Sequence, residues 1–134
     1  MMQDEEGRMR VVIVEDDPDY RSIVYEWLSP YYDTICLEDG EDLLDDPDSL
    51  APDFIIMDIN LPGEDGVHLC RRLRRDRRFR GTPILFLTGV RSDKVFLKSM
   101  EMGGDAYLTK PVERRELLQV IRDIQSGANL RQVG

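Results

Sequence analysis

Five residues of this sequence carry the side chains needed to hold a divalent cation and a phosphoryl group: the acids Glu15, Asp16 and Asp58, the hydroxyl of Thr88 and the amine of Lys110. Carboxylates suit hard, oxygen-seeking cations, and a lysine brings a mobile positive charge to phosphoryl or carboxylate oxygens. Each group follows a short apolar run. Val11 to Val14 precede the acid pair, Phe54 to Met57 precede Asp58, Ile84 to Leu87 precede Thr88, and Ala106 to Leu108 stand just before Thr109-Lys110. A lone acid in such a place is as well explained by a cap or a turn. Four separate segments that all end in reactive groups are not.

The runs define the scaffold. They are too short for helices and too continuous for half-solvated strands, so they read as buried strands of a parallel sheet. Between them lie helix signals. Pro18 opens one, with Tyr20, Ile23, Val24, Trp27 and Leu28 at helical spacing until Ser29-Pro30. Thr34 to Leu37 is a short strand, a brief helix spans Glu41 to Asp45 until Pro47, and Leu61-Pro62-Gly63 with Gly66 makes a loop after Asp58. Further helices are expected from Gly66 to about Asp76, from about Ser92 to Met102, and from about Glu113, with Leu117, Val120, Ile121 and Ile124 on one face of the last. The expected fold class is α/β: a flavodoxin-like, doubly wound, five-stranded parallel sheet of order 2-1-3-4-5 with five helices. That order makes strands one and three neighbours at the topological switch point, where open sheets bind ligands, and so brings Glu15, Asp16 and Asp58 into one crevice.

Composition agrees with one domain. The chain has 134 residues, 41% hydrophobic and 34% charged, enough for a single core. No apolar stretch reaches the roughly 20 residues that span a bilayer, and the acidic start MMQDEEGRMR is unlike a signal peptide. The expected location is cytoplasmic. Cys36 and Cys70 stand alone, in a strand and a helix, as buried or half-buried free thiols. Residues 1–66 hold 20 acids and 3 bases, a net of −17, and residues 67–134 hold 7 acids and 15 bases, a net of +8. The overall −9 argues against nonspecific nucleic-acid binding.

The ordered set Glu15-Asp16 in VVIVEDDPD, Asp58 in MDINLPGEDG, Thr88 in LFLTG and Lys110-Pro111 in GGDAYLTKP resembles the receiver domain of two-component response regulators. The resemblance spans residues 10–125, leaving 1–9 as an N-terminal stub and 126–134 as a C-terminal tail or linker stub. It implies a phosphoacceptor at Asp58, charged by a histidine kinase or histidine phosphotransfer protein as in a phosphorelay, with Mg²⁺ or Mn²⁺ and an output domain or effector downstream. Three carboxylates within ~4 Å repel by ~4 kcal/mol per pair at an effective dielectric near 20, and a divalent ion relieves that strain. Asp16 is expected to bind the ion directly, Glu15 through water, Asp58 through its carboxylate and Asn60 through its backbone carbonyl. Asp58 is then a covalent nucleophile. Lys110 serves the phosphoryl oxygens or the free carboxylate, and Thr88 hydrogen-bonds the phosphoryl group once it is in place. The resemblance further implies a cis Lys110-Pro111 peptide, a switch aromatic at Tyr107 that turns inward as Thr88 moves, and an output face of the fourth helix, fifth strand and fifth helix, often used for homodimers. Arg91, Lys94, Lys98, Arg114, Arg115 and Arg122, opposed by Glu101, Glu113, Glu116 and Asp123, are available there for ion pairs or for solvent. Neither a membrane nor direct nucleic-acid contact is expected.

Other features read more plainly. Asp17 caps the first helix, the seven arginines between Arg71 and Arg80 form a solvated helix face, His68 is a half-exposed helix residue, and Gly103-Gly104 is a helix C-cap. Val90 is placed to restrict water at the phosphorylation site. Two other activities are weighed. A phosphatase of the haloacid dehalogenase type uses an Asp nucleophile with Mg²⁺ but needs an acid two positions later, where this chain has Asn60. An FMN carrier wants hydroxyls after the first strand, where Glu15-Asp16-Asp17 repels phosphate.

Overall fold

A computed structural model of the chain describes residues 7–127. The outer parts of the stub and tail, 1–6 and 128–134, lie outside the described residues. The strands β1 (Arg10–Val14), β2 (Asp33–Leu37), β3 (Phe54–Met57), β6 (Ile84–Thr88) and β7 (Ala106–Thr109) form one parallel sheet in the order β2-β1-β3-β6-β7. This is the 2-1-3-4-5 winding. The second small sheet is a two-stranded antiparallel ribbon, β4 (Asn60–Leu61) with β5 (Glu64–Asp65), in the loop beyond Asp58.

The helices are α1 (Pro18–Leu28), α2 (Glu41–Asp45), α3 (Pro47–Leu50), α4 (Gly66–Arg75), α5 (Asp93–Glu101) and α6 (Arg114–Gln125), with a 3₁₀ turn at Arg77–Phe79. Six helices replace the five expected because Pro47, which ends α2, also starts α3; proline has no N–H to lose in a first turn. Tyr31 and Tyr32 turn the chain from α1 into β2 by backbone bonds to Leu28 O, each at 2.9 Å.

The strands are buried because both faces of the sheet are covered. Val11, Ile13, Phe54, Ile56, Leu85 and Leu87 point into a core with Val24, Leu28, Leu117 and Ile121 of α1 and α6. Their neighbours Val12, Val14, Ile55, Met57, Ile84 and Phe86 point the other way, to Leu43, Leu69, Cys70 and Leu73 of α2 and α4. The period of two along each strand thus splits one continuous apolar run between two cores, each side chain contributing about 1.5–3 kcal/mol when fully buried. Gly103 and Gly104 end α5 as expected. Gly103 has φ +116°, and Gly104 N–H bonds back to Ser99 O at 2.9 Å. Both cysteines are free, Cys70 buried and Cys36 half-buried.

The arginine run departs from a simple solvated face. Arg72 pairs with Glu64 and Glu41, and Arg78 with Asp76 and Asp48. Arg74 bonds the carbonyls of Phe79, Thr82 and Gly103 and the carboxylate of Asp105. Arg71, Arg75, Arg77 and Arg80 remain exposed. Arg74, on α4, turns toward the loop before β7.

Candidate functional site at the carboxyl ends of the strands

Backbone pairing sets the floor of the site. Asp58 N–H donates to Val14 O at 3.1 Å and Glu15 N–H donates to Leu37 O at 3.0 Å, so the residues just past β1 and β3 stay in sheet register side by side. Lys110 N–H donates to Thr88 O at 2.8 Å, which does the same for β6 and β7. Beyond Asp58 the chain doubles back through the β4–β5 ribbon, and Gly66 passes directly over it. A Cβ on Gly66 would lie 2.2 Å from Asp58 O and 2.8 Å from Ile59 Cα, which is why a glycine starts α4 there.

Four of the five residues singled out from the sequence, Glu15, Asp16, Asp58 and Lys110, meet in one cluster, and Thr88 ends β6 with its carbonyl bonded to Lys110 N–H. Ligand oxygens of Glu15, Asp16 and Asp58 lie within 4.8 Å of one another. Glu15, Asp58 and Thr88 are buried at 4%, 6% and 0% exposure, while Asp16 is exposed, so the cluster opens to solvent through Asp16. Lys110 Nζ bridges the two buried acids, 2.7 Å from Glu15 Oε1 and 2.9 Å from Asp58 Oδ2. The other oxygens are also held: Asp17 N–H donates to Glu15 Oε2 at 3.1 Å, and Asn60 N–H to Asp58 Oδ1 at 3.2 Å. Asp17 accepts from Asp19 N–H and caps α1 as expected.

The electrostatics follow from this packing. Burial pushes the Glu15 carboxyl up from its usual range, against the pull of Lys110 and the Asp17 N–H. Burial works against the charge on Lys110 too, but its bonds to Glu15 and Asp58 outweigh it, and its pKa rises. Lys110 thus sets one cation between two buried carboxylates, which offsets part of their mutual repulsion.

Thr88 Oγ1 accepts from Val90 N–H at 3.3 Å, and Val90 O accepts from the Tyr107 hydroxyl at 2.7 Å. The Tyr107 ring meets Phe96 of α5 edge-on at 5.5 Å and Phe86 of β6 at 6.3 Å. The backbone of one residue, Val90, therefore links the Thr88 hydroxyl to the aromatic of β7 through its N–H on one side and its carbonyl on the other. The Lys110-Pro111 peptide is cis.

Three contacts had no counterpart in the sequence reading. Arg21 Nη1 donates to Glu15 O at 2.7 Å, Arg91 Nη2 donates to Lys110 O at 3.1 Å, and the Tyr20 ring lies under Lys110 Nζ at 4.4 Å. Tyr20 counted only as an apolar position of α1. Its place in the first turn of α1, four residues after Asp16, was the available signal. His68 is exposed on α4, 3.7 Å from Glu64, and takes no part in the pocket.

A hard divalent cation fits this donor set, which offers three carboxylates and only oxygen ligands. Comparison with known proteins points the same way. The family described as "Response regulator receiver domain" matches residues 11–122. Among solved structures, the chain is similar to the chemotaxis response regulator CheY4 of Vibrio cholerae, with 26% identity and TM-score 0.81 over 88% of this chain and 99% of that one. It is also similar to the BeF3-activated N-terminal receiver domain of Klebsiella pneumoniae RstA, with 33% identity and TM-score 0.77 over 84% and 95%. The BeF3-activated DrrB receiver domain gives 28% identity and TM-score 0.80 over 90% and 99%.

Proposed function

The chain belongs to the response regulator receiver domain family, and from that premise we propose that Asp58 is its phosphoacceptor and that Thr88, Lys110 and Tyr107 convert phosphorylation into a change of shape. The family membership makes the domain a phosphoacceptor switch of two-component signalling. The observation that carries the residue assignment is the bridge from Lys110 Nζ to both Glu15 and Asp58, with Asp16 beside them at the solvent edge.

Receiver domains bind Mg²⁺ at an acidic pocket, and in this chain Asp16, Asp58, Glu15 through water and the Asn60 carbonyl are the residues that would hold Mg²⁺ or Mn²⁺. The bound ion supplies charge neutralisation for the transferring phosphoryl group. Everything else falls to the protein. An oxygen of Asp58 attacks the phosphorus of a phosphohistidine on the donor protein; the P–O bond forms, the P–N bond breaks, and the imidazole leaves with its electron pair. Lys110 gives up the Asp58 oxygen and takes a phosphoryl oxygen instead. The Thr88 hydroxyl donates to another, a bond to a charged acceptor worth about 1.5–3 kcal/mol. Drawing Thr88 toward the phosphoryl group disturbs its bond to Val90 N–H, and the Val90 carbonyl carries the change to Tyr107. A coupling of about 1–3 kcal/mol is enough for a 5- to 150-fold change in partner affinity. The reading assigns output to the face of α5, β7 and α6, used by an effector, an output domain or a second copy, in the cytoplasm. Catalysis is confined to the domain's own phosphorylation and dephosphorylation.

The haloacid dehalogenase alternative is not favoured. Asn60 meets Asp58 through its backbone N–H, and its side chain is no acid. Incubation with acetyl phosphate and Mg²⁺ tests the proposal: intact mass is expected to show one added phosphoryl group, lost with EDTA and absent in Asp58→Asn. An unmodified wild-type protein would count against the assignment.

A further inference from the structure

Lys110 has three donor hydrogens, and two are spent on Glu15 and Asp58. Its remaining neighbour is aromatic. Nζ stands 4.4 Å from the centroid of Tyr20, inside the roughly 6 Å at which a ring quadrupole attracts an ammonium. Tyr20 is half-buried in the first turn of α1, four residues after Asp16, and packs against the core cluster that includes Val112, two residues past Lys110. Its hydroxyl oxygen is buried and has no hydrogen-bond partner among the described residues. A buried hydroxyl without a partner is a cost that a phenylalanine would not carry. What the site draws from Tyr20 is therefore its face rather than its oxygen.

We propose that Tyr20 is a positioning residue for Lys110, its ring forming the wall that keeps the ammonium between Glu15 and Asp58. This rests on the phosphoacceptor reading of the pocket and extends it. When Asp58 takes a phosphoryl group, Lys110 has to change its oxygen partner there. The contacts to Glu15 and to the ring do not depend on that exchange. Of these, the ring needs no particular hydrogen direction, so it confines the ammonium while allowing it to swing. Without the ring, Lys110 has more room to drift toward solvent, and the fraction of molecules poised for transfer falls.

The test is a double-variant cycle on the phosphorylation rate from acetyl phosphate at saturating Mg²⁺, joined to NMR of the Lys110 ε-methylene in protein free of metal and phosphate. Tyr20→Leu is expected to slow phosphorylation about tenfold, as loss of a desolvated cation–π contact implies. Tyr20→Phe is expected to restore it to within about twofold. In a Lys110→Ala background the leucine change should slow the reaction less than twofold further. The ring-current shift of the ε-methylene should be present in the wild type and in Tyr20→Phe, and lost in Tyr20→Leu. Tyr20→Met, also non-aromatic, takes the place of leucine if that variant does not fold. Equal rates in wild type and Tyr20→Leu, a loss that persists in full without Lys110, or an unshifted wild-type ε-methylene would each overturn the proposal. A wild-type protein that accepts no phosphoryl group defeats the phosphoacceptor reading instead, and the ring-current shift still decides where Lys110 sits.

Discussion

Lys110 is the residue on which the proposed state of the pocket turns, because it bridges two buried acids that follow different strands. Removing it leaves Glu15 and Asp58 facing each other without a cation, so Lys110→Ala should still accept some phosphoryl group when Mg²⁺ is supplied. The same variant should fail to pass the signal on: the NMR resonances of Tyr107 should not shift on phosphorylation, and a full wild-type shift would refute the role of Lys110. Gly66 is constrained by space instead of charge. An added methyl would meet Asp58 O and Ile59 Cα, both backbone atoms that cannot rotate away. Gly66→Ala is expected to lose about 1–3 kcal/mol of stability, the usual cost of forced overpacking, measurable by urea unfolding. It should also slow phosphorylation, since relief of the clash moves the backbone that carries Asp58.

At the level of elements, what the sequence disclosed depended on how many residues declared each feature. Phe54 to Met57 and Val11 to Val14 are runs of four apolar residues, and their burial on both faces could be inferred from continuity alone. The active acids could be placed because strand ends have a fixed relation to the winding of the sheet. The β4–β5 ribbon has two residues per strand, too few for any periodicity, and the loop signals of Pro62 and Gly63 concealed it. The split of α2 from α3 at Pro47 was half visible, as a stop but not as a second start. The arginine run was legible as helix surface, yet which arginines turn inward depends on acids such as Glu41 and Asp105, each 31 positions from its partner. Tyr20 was hidden for the same reason: a residue 90 positions away decides what it touches. One local device carries a pH dependence. Asp76 caps the turn at Arg77–Phe79, and bonds from the Arg78 side chain and backbone N–H hold its carboxyl down to about 2 from 3.8. A carboxyl lowered on folding contributes stability that is complete above its unfolded value and is lost as pH falls through the folded one. The stability advantage of wild type over Asp76→Asn should therefore be constant above about pH 4 and shrink between about 3.8 and 2 in thermal unfolding. An advantage that stays level to pH 2 would contradict this.

The molecule as a whole places its acid cluster at one end of the sheet, and the proposed readout runs along one side. Glu15, Asp16 and Asp58 sit at the switch point past β1 and β3, with Lys110, just past β7, bonded to Glu15 and Asp58, and Thr88 ending the neighbouring β6. From Thr88 the bonds through Val90 to Tyr107 lead on to Phe96 of α5, and along this path the proposed change of hydroxyl partner would reach a helix surface. Among the described residues no helix is long and apolar enough to cross a membrane. The halves of opposite charge meet across α4, where Arg72 ties Glu41 to Glu64. The most direct measurement is to trap the phosphorylated protein with borohydride, which reduces an acyl phosphate to an alcohol, and to map the peptides. The account predicts reduction at Asp58 and nowhere else, dependent on Mg²⁺. Reduction at Glu15 or Asp16, or at no residue of a protein that has gained a phosphoryl group, would contradict it.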